Sequence, residues 1–173
     1  LFDAEIPGRK EPFPYRLKID WGTHRQELED AYRFPCVLGD IDVWLLSEGT
    51  HHRPYERLGA HPAVMEGVAG VSFAVWAPNA RRVSVVGDFN GWNEQEAYQC
   101  HRIEGTGNWE LTLPHDAMQH GQYYKMRVHW EGGEGERIPA WTQRVVQDEA
   151  SKIFSAQVWA PAEPYVWKKK TFK

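Results

Sequence analysis

The stretch Gly70–Pro78, GVSFAVWAP, alternates side chains with a period of two. Val71, Phe73 and Val75 fall on one face of an extended chain, Ser72, Ala74 and Trp76 on the other, and Pro78 stops the ladder. Working outward, RRVSVVG (Arg81–Gly87), NWELTLP (Asn108–Pro114), YYKMRVHW (Tyr123–Trp130) and KIFSAQVWAP (Lys152–Pro161) repeat the pattern between Gly, Pro and Asn. No long helical period separates them from Tyr55 onward. Short strands at this spacing predict an all-β chain folded as an immunoglobulin-like antiparallel β-sandwich. The run EGGEGER, Glu131–Arg137, reads by composition as a flexible hairpin tip.

Composition agrees. Among 173 residues there are nine Trp, 15 Gly and 11 Pro, which suits a module of short strands and many turns. A net charge of -4 supplies no basic stripe for a phosphate backbone, so nucleic acid is not an expected partner and neutral polar ligands are. Cys36 and Cys100 have no metal-ligand spacing and read as free thiols of a reducing, cytoplasmic setting, with a disulfide left open. No apolar run reaches the ~18 residues of a membrane span, so no membrane partner is expected. The first residue is Leu1 rather than Met, as in a piece of something longer.

Residues 1–52 are less regular. FPYRLKIDW (Phe13–Trp21) alternates Tyr15, Leu17, Ile19 and Trp21 as a strand. GDIDVWLLSEG (Gly39–Gly49) predicts a short helix with Ile41, Trp44 and Leu45 on one face and Gly49 as its stop. One strand and one helix cannot enclose a core, so this segment is expected to lean on its neighbour or to close a domain upstream.

A catalytic constellation, a cofactor loop and a metal-ligand spacing are all missing from the pattern; His51, His52 and His61 read as a surface loop. The expectation is therefore no catalytic residue, no metal and no cofactor. In VSVVGDFNGWN (Val83–Asn93) a strand breaks into a polar turn that carries Trp92. Sugars present a flat CH face and a rim of hydroxyls, which an exposed indole with polar neighbours complements. Asp88, Asn90 and Asn93 lie beside Trp92, and Lys125 could add a donor from another strand. Equally, Trp92 could pack on a partner domain while Asp88 and Asn90 only shape the turn and Lys125 stays solvated. Trp76 and Trp109 read as core or interface residues; Trp130 and Trp141 flank the loop and either could line a groove. Trp159 and Trp167 precede the linker-like run Lys168–Lys170.

YERLGAHP, GVSFAVWAPNA, VVGDFNGWN, GNWELTLP and YYKMRV, in this order, resemble the amino-terminal region of 1,4-α-glucan (glycogen) branching enzymes, whose module belongs to carbohydrate-binding module family 48. FPYRLKIDW, DAYRFPCVLGDID and LLSEGTHHRPYERLGAH resemble the end of the extra N-terminal domain of bacterial enzymes, and RIPAWTQRVVQD with IFSAQVWAP resembles the eukaryotic-type subfamily. The resemblance implies an early-set sandwich over 53–167, the end of an extra domain over 1–52, and a linker over 168–173 leading to a catalytic barrel. It implies a non-catalytic module that binds α-glucan, glycogen or malto-oligosaccharide in glycogen biosynthesis, or a docking module that packs on the barrel without sugar. The parent's glycosyl transfer would use a carboxylate nucleophile and a carboxylic acid/base on the barrel, whose motifs this sequence does not carry. Related modules place a tryptophan after G-x-F-N and a lysine in the Y-K strand, which match Trp92 and Lys125. Trp130 is the nearest counterpart of their second aromatic, at a different spacing, and their threonine and paired asparagines have no match after Trp141.

Overall fold

The computed structural model describes residues 7–8, 13, 15–29, 36–65, 67–114, 117–163 and 165–168. Lys169, Lys170 and the tail to residue 173, where the linker was expected, lie outside the described residues.

Two antiparallel sheets face each other. The first has the order β3-β4-β7-β6, built from β3 (Gly59–Met65), β4 (Val68–Trp76), β6 (His101–Ile103) and β7 (Asn108–Pro114). The second runs β10-β11-β8-β5, with β5 (Ala80–Gly87), β8 (Tyr123–Trp130), β10 (Val145–Gln147) and β11 (Phe154–Gln157). A further strand, β9 (Gly133–Arg137), pairs with β8. The predicted all-β sandwich is thus the observed one.

The pleat explains the core. Val71 and Phe73 on β4 and Leu111 and Leu113 on β7 meet Val83, Val85, Tyr124, Met126 and Ala156 from the other sheet, all buried. Phe73 meets Tyr124 edge to face at 5.4 Å. Trp109 is buried with them and its indole N–H donates to Ala77 O at 3.0 Å, whereas Trp76 stays 60% exposed rather than joining the core. Each large apolar side chain buried here contributes roughly 1.5–3 kcal/mol.

One reading is corrected, and one strand went unread. EGGEGER is not a floppy tip: only Glu131 and Gly132 turn, and Gly133–Arg137 forms β9. Its acidic side chains stand opposite basic ones, Glu134 and Glu136 each within 3.3 Å of Arg127, which gives a Gly/Glu-rich segment a reason to pair. β3 contains Pro62, which is tolerated because β3 is an edge strand with a single partner.

Before the sandwich, β1 (Arg16–Asp20) pairs with β2 (Arg25–Glu29) as a hairpin. Helix α1 (Asp40–Glu48) ends as predicted at Gly49, whose φ of 72° suits a residue without Cβ. Asp40 and Asp42 in its first turn face the positive end of the helix dipole. The packed face differs from the predicted one: Ile41 and Trp44 are exposed, while Val43 and Leu46 pack with Leu38, Leu58 and Ala74. β4 is therefore covered on both faces, Phe73 by the second sheet and Ala74 by the α1 segment. Glu110 on β7 clamps that segment, its Oε2 accepting the N–H groups of Val37 at 2.9 Å and Leu38 at 3.1 Å. Asp42 adds a second tie, with His51 Nε2 at 3.0 Å and Arg57 Nε at 3.2 Å.

Candidate functional site: a groove under Trp92

β5 has to end close against β8. At Gly87 a Cβ would run into Tyr123 O and the Phe89 ring, so a glycine stands where the two strands part. The chain then makes a 3₁₀ turn, Asp88–Asn90, held from inside by Asn90. The Asn90 amide donates to Val85 O and accepts from Gly87 N–H, both at 2.9 Å, and the residue is buried. Gly91 and Trp92 follow with φ of 62° each, and Trp92 N–H returns to Gly87 O at 2.9 Å. A left-handed tryptophan is uncommon and costs about 1–3 kcal/mol of backbone strain. The turn spends that strain on holding the indole away from the core.

Asp88 fixes the ring from below. Its Oδ1 accepts the Trp92 indole N–H at 3.2 Å and its Oδ2 accepts Tyr123 N–H at 2.8 Å. Lys125, two residues along β8, places Nζ 5.7 Å from the indole centroid and 3.2 Å from Glu136. A groove of about 320 Å³ opens here on the outer face of the β5-containing sheet. Trp92 forms one wall; Val146 of β10 and Ile153 form the other; Tyr123, Lys125 and Ser155 make the floor. Asp148 closes the end, its Oδ1 accepting both the N–H and the hydroxyl of Ser151 at 2.7 Å, which holds its carboxyl below the ordinary value. Apolar walls over a polar floor can hold a ligand with one flat face and hydroxyl edges.

Of the residues singled out in the sequence, Trp92 and Lys125 line this groove, and Asp88 holds the Trp92 ring from outside the lining. Asn90 stands beneath it, its side chain engaged with backbone. Trp130 is not brought there: it lies on the opposite face of β8 from Lys125, with the Arg137 guanidinium 5.2 Å from its ring. Trp141 packs beside Gly59 instead. Tyr123, Val146, Ile153 and Ser155 escaped the sequence reading, because only the β8-β11-β10 pairing assembles them.

One charged cluster also went unseen. Glu94, His129 and Glu134 offer ligand atoms within 4.8 Å of one another. His129 Nε2 faces Glu94 and Nδ1 faces Glu134, each at 2.9 Å, so the imidazole stands between the carboxylates. Arg82 and Arg127 already bind those carboxylates at 3.3 Å. The arrangement acts as an ion-pair bridge tying the segment after Trp92 to β8 and β9. Burial would raise the Glu94 carboxyl, but hydrogen bonds from His129 and Ser84 and the charges of His129 and Arg82 outweigh it and hold it below the ordinary value. His51 and His61 are likewise engaged, with Asp42 and with Leu58 O. Cys36 and Cys100 are free thiols, Cys36 exposed and Cys100 buried.

Residues 57–149, more than half of the chain, match the family described as carbohydrate-binding module 48 (isoamylase N-terminal domain). The chain belongs to carbohydrate-binding module family 48. A 1,4-α-glucan branching enzyme of Cereibacter sphaeroides is 54% identical over 139 residues, covering 80% of this chain and 18% of that protein. This bears out the resemblance carried by the motifs, and the chain spans under a fifth of that relative's length. Among solved structures, the catalytic module of the multi-modular glycogen-degrading pneumococcal virulence factor SpuA is 24% identical, with 69% of this chain and 18% of that one covered at a TM-score of 0.47. A type I pullulanase of Bacillus subtilis complexed with maltose is 20% identical, covering 67% and 15% at 0.48. Among the described residues of this family 48 module, no helix is long and apolar enough to cross a membrane.

Proposed function

We propose that the groove under Trp92 binds α-glucan, as glycogen or malto-oligosaccharide, and that the chain is the non-catalytic glucan-binding module of a cytoplasmic 1,4-α-glucan branching enzyme acting in glycogen biosynthesis. In this reading residues 53–167 form the module, 1–52 close an upstream domain and 168–173 lead to the catalytic barrel. The observation that carries it is the Trp92 indole, held over an open groove by Asp88 with Lys125 beside the ring. The ring offers a stacking plate, and Ser155 and Lys125 offer hydrogen bonds to hydroxyls. Family membership and the branching-enzyme relative support the same ligand class.

Titration with maltoheptaose tests this. Stacking of a planar ligand on an aromatic side chain is worth roughly 1–3 kcal/mol by analogy with nucleobases, so Trp92→Ala lowers affinity about tenfold or more. Unchanged binding in a folded Trp92→Ala variant removes the groove from the function.

A second reading, a module that docks on the barrel without holding sugar, is favoured by one observation: Trp76 is 60% exposed and Trp167 75%. Large exposed aromatics mark surfaces that a partner covers. Sedimentation with and without maltoheptaose separates the two. An aromatic surface left uncovered favours self-association, so sugar that changes tryptophan fluorescence but leaves any self-association intact supports the first reading, and sugar that leaves the fluorescence unchanged supports the second.

A further inference from the structure

The sheet face that floors the groove continues past Tyr123, beyond the groove's own lining. On β11 Ala156 points into the core, and just beyond the strand Val158, paired with Gln122 and Gly121 through its backbone, does the same, so Ser155, Gln157 and then Trp159 fall on the outer side with Lys125. The register sets Gln157 opposite Tyr123, and Gln157 N–H donates to Arg144 O at 2.9 Å, which places Arg144 at the end of the same row. Arg144 then lies over the Trp159 ring, its guanidinium carbon 4.0 Å from the centroid, and the His120 ring supports the indole at 4.9 Å. His120 is fixed in turn, its Nδ1 accepting Ala160 N–H at 2.9 Å.

The Arg144 guanidinium makes no hydrogen bond or ion pair among the described residues, its carbonyl alone being engaged by Gln157 N–H, and the residue is exposed. A guanidinium held against an indole has lost much of its freedom already, so less is lost when its N–H groups meet an acceptor. Gln157 lies between groove and platform, its amide fixed by donation to Gly121 O at 2.7 Å and its buried oxygen without a donor among the described residues, so it spaces the two sites rather than meeting the sugar. Outward residues on a strand recur about every 7 Å, so from Ser155 to Trp159 the path extends at most about 13 Å.

We propose that the Arg144–Trp159 platform is a second subsite for the same glucan chain, holding sugar hydroxyls beyond the reach of a short oligosaccharide seated under Trp92. This rests on the groove being the glucan site. The subsite adds chain-length discrimination: long chains use both ends of the face, short ones only the first.

The test titrates this chain, with Trp92→Ala, Arg144→Ala and Arg144→Lys variants, against maltotriose and maltoheptaose, with thermal melting as the check on folding. Arg144→Ala lowers maltoheptaose affinity about tenfold, the loss of about one hydrogen bond to a charged group, and leaves maltotriose within about twofold. Arg144→Lys keeps the charge without the planar fork and recovers only part. Unchanged maltoheptaose binding in Arg144→Ala, with both sugars weakened in Trp92→Ala, overturns the second subsite and leaves the groove standing. Equal losses for both sugars in Arg144→Ala overturn the chain-length role. No loss in Trp92→Ala overturns the groove, and the continuous path with it.

Discussion

The carboxylate of Asp88 carries the Trp92 indole on one oxygen, at 3.2 Å, while the other oxygen holds the start of β8 through Tyr123 N–H. The ring that would meet the sugar and the strand that floors the groove are thereby set against each other by a single side chain.

Asp88→Ala should loosen that coupling without removing the plate. Two hydrogen bonds are lost, and the one to the indole, about 1 kcal/mol, is the one that positions the plate, so maltoheptaose affinity falls about fivefold, less than on loss of Trp92 itself. Calorimetric titration beside tryptophan fluorescence measures it; binding unaltered by Asp88→Ala shows that the indole needs no support.

Lys125 has two attachments, Glu136 and the Trp92 ring. A partly exposed cation–π contact is worth about 0.5–1 kcal/mol, so Lys125→Ala costs about threefold in affinity. Because α-glucan is neutral, its binding would release no counterions, and affinity for it should stay flat between low and high salt. A steep salt slope identifies an anionic ligand instead.

Glu110→Ala strips the acceptor from two backbone N–H groups, one of them on buried Leu38. Each such loss costs about 1–3 kcal/mol, so melting falls by several degrees or more, while Glu110→Gln, which keeps an acceptor, falls less. Glu110 also bears on Cys36: a hydrogen bond to Glu110, then its charge and slight burial, raise the Cys36 thiol. Glu110→Gln therefore speeds alkylation of Cys36 at pH 8. Cys100, pushed up to about 12 by burial, resists the reagent until the chain unfolds.

Acid should release the α1 segment. Burial alone would raise the Asp42 carboxyl, but hydrogen bonds from His51 and Gly39 N–H and the charges of Arg57 and His51 outweigh it and leave it lowered. A depressed carboxylate stabilises the fold above its unfolded pKa, about 4, and that contribution is lost as pH falls through the lower folded value. Denaturant melts from pH 6 to pH 3 should show Asp42→Asn less stable at pH 6 and less steeply destabilised below about pH 4. Parallel curves for both proteins contradict the assignment.

Alternation made the central strands legible, since residues such as Val71, Phe73, Val83 and Val85 must point one way to be buried. Composition misled where a contact outweighed propensity. Gly133–Arg137 looked like a loop because the basic partners of its glutamates lie on another strand. On α1 the bulkiest apolar residues, Ile41 and Trp44, suggested the inner face, yet Gly39 and the Glu110 clamp orient the helix so that Val43 and Leu46 face β4. Trp92 and Lys125 were readable because each sits in a distinctive local motif. Val146, Ile153 and Ser155 were not, because their relation to Trp92 exists only once β10 and β11 have joined β8.

The left-handed backbone of Trp92 gives selection experiments a direction. Glycine or asparagine fits φ of 62° more comfortably than tryptophan does. A library randomised at position 92 and sorted for heat resistance alone should drift toward those residues, whereas sorting on immobilised glycogen should restore tryptophan. The two screens pull one codon in opposite directions, and the distance between their winners measures how far usefulness there has been placed ahead of robustness.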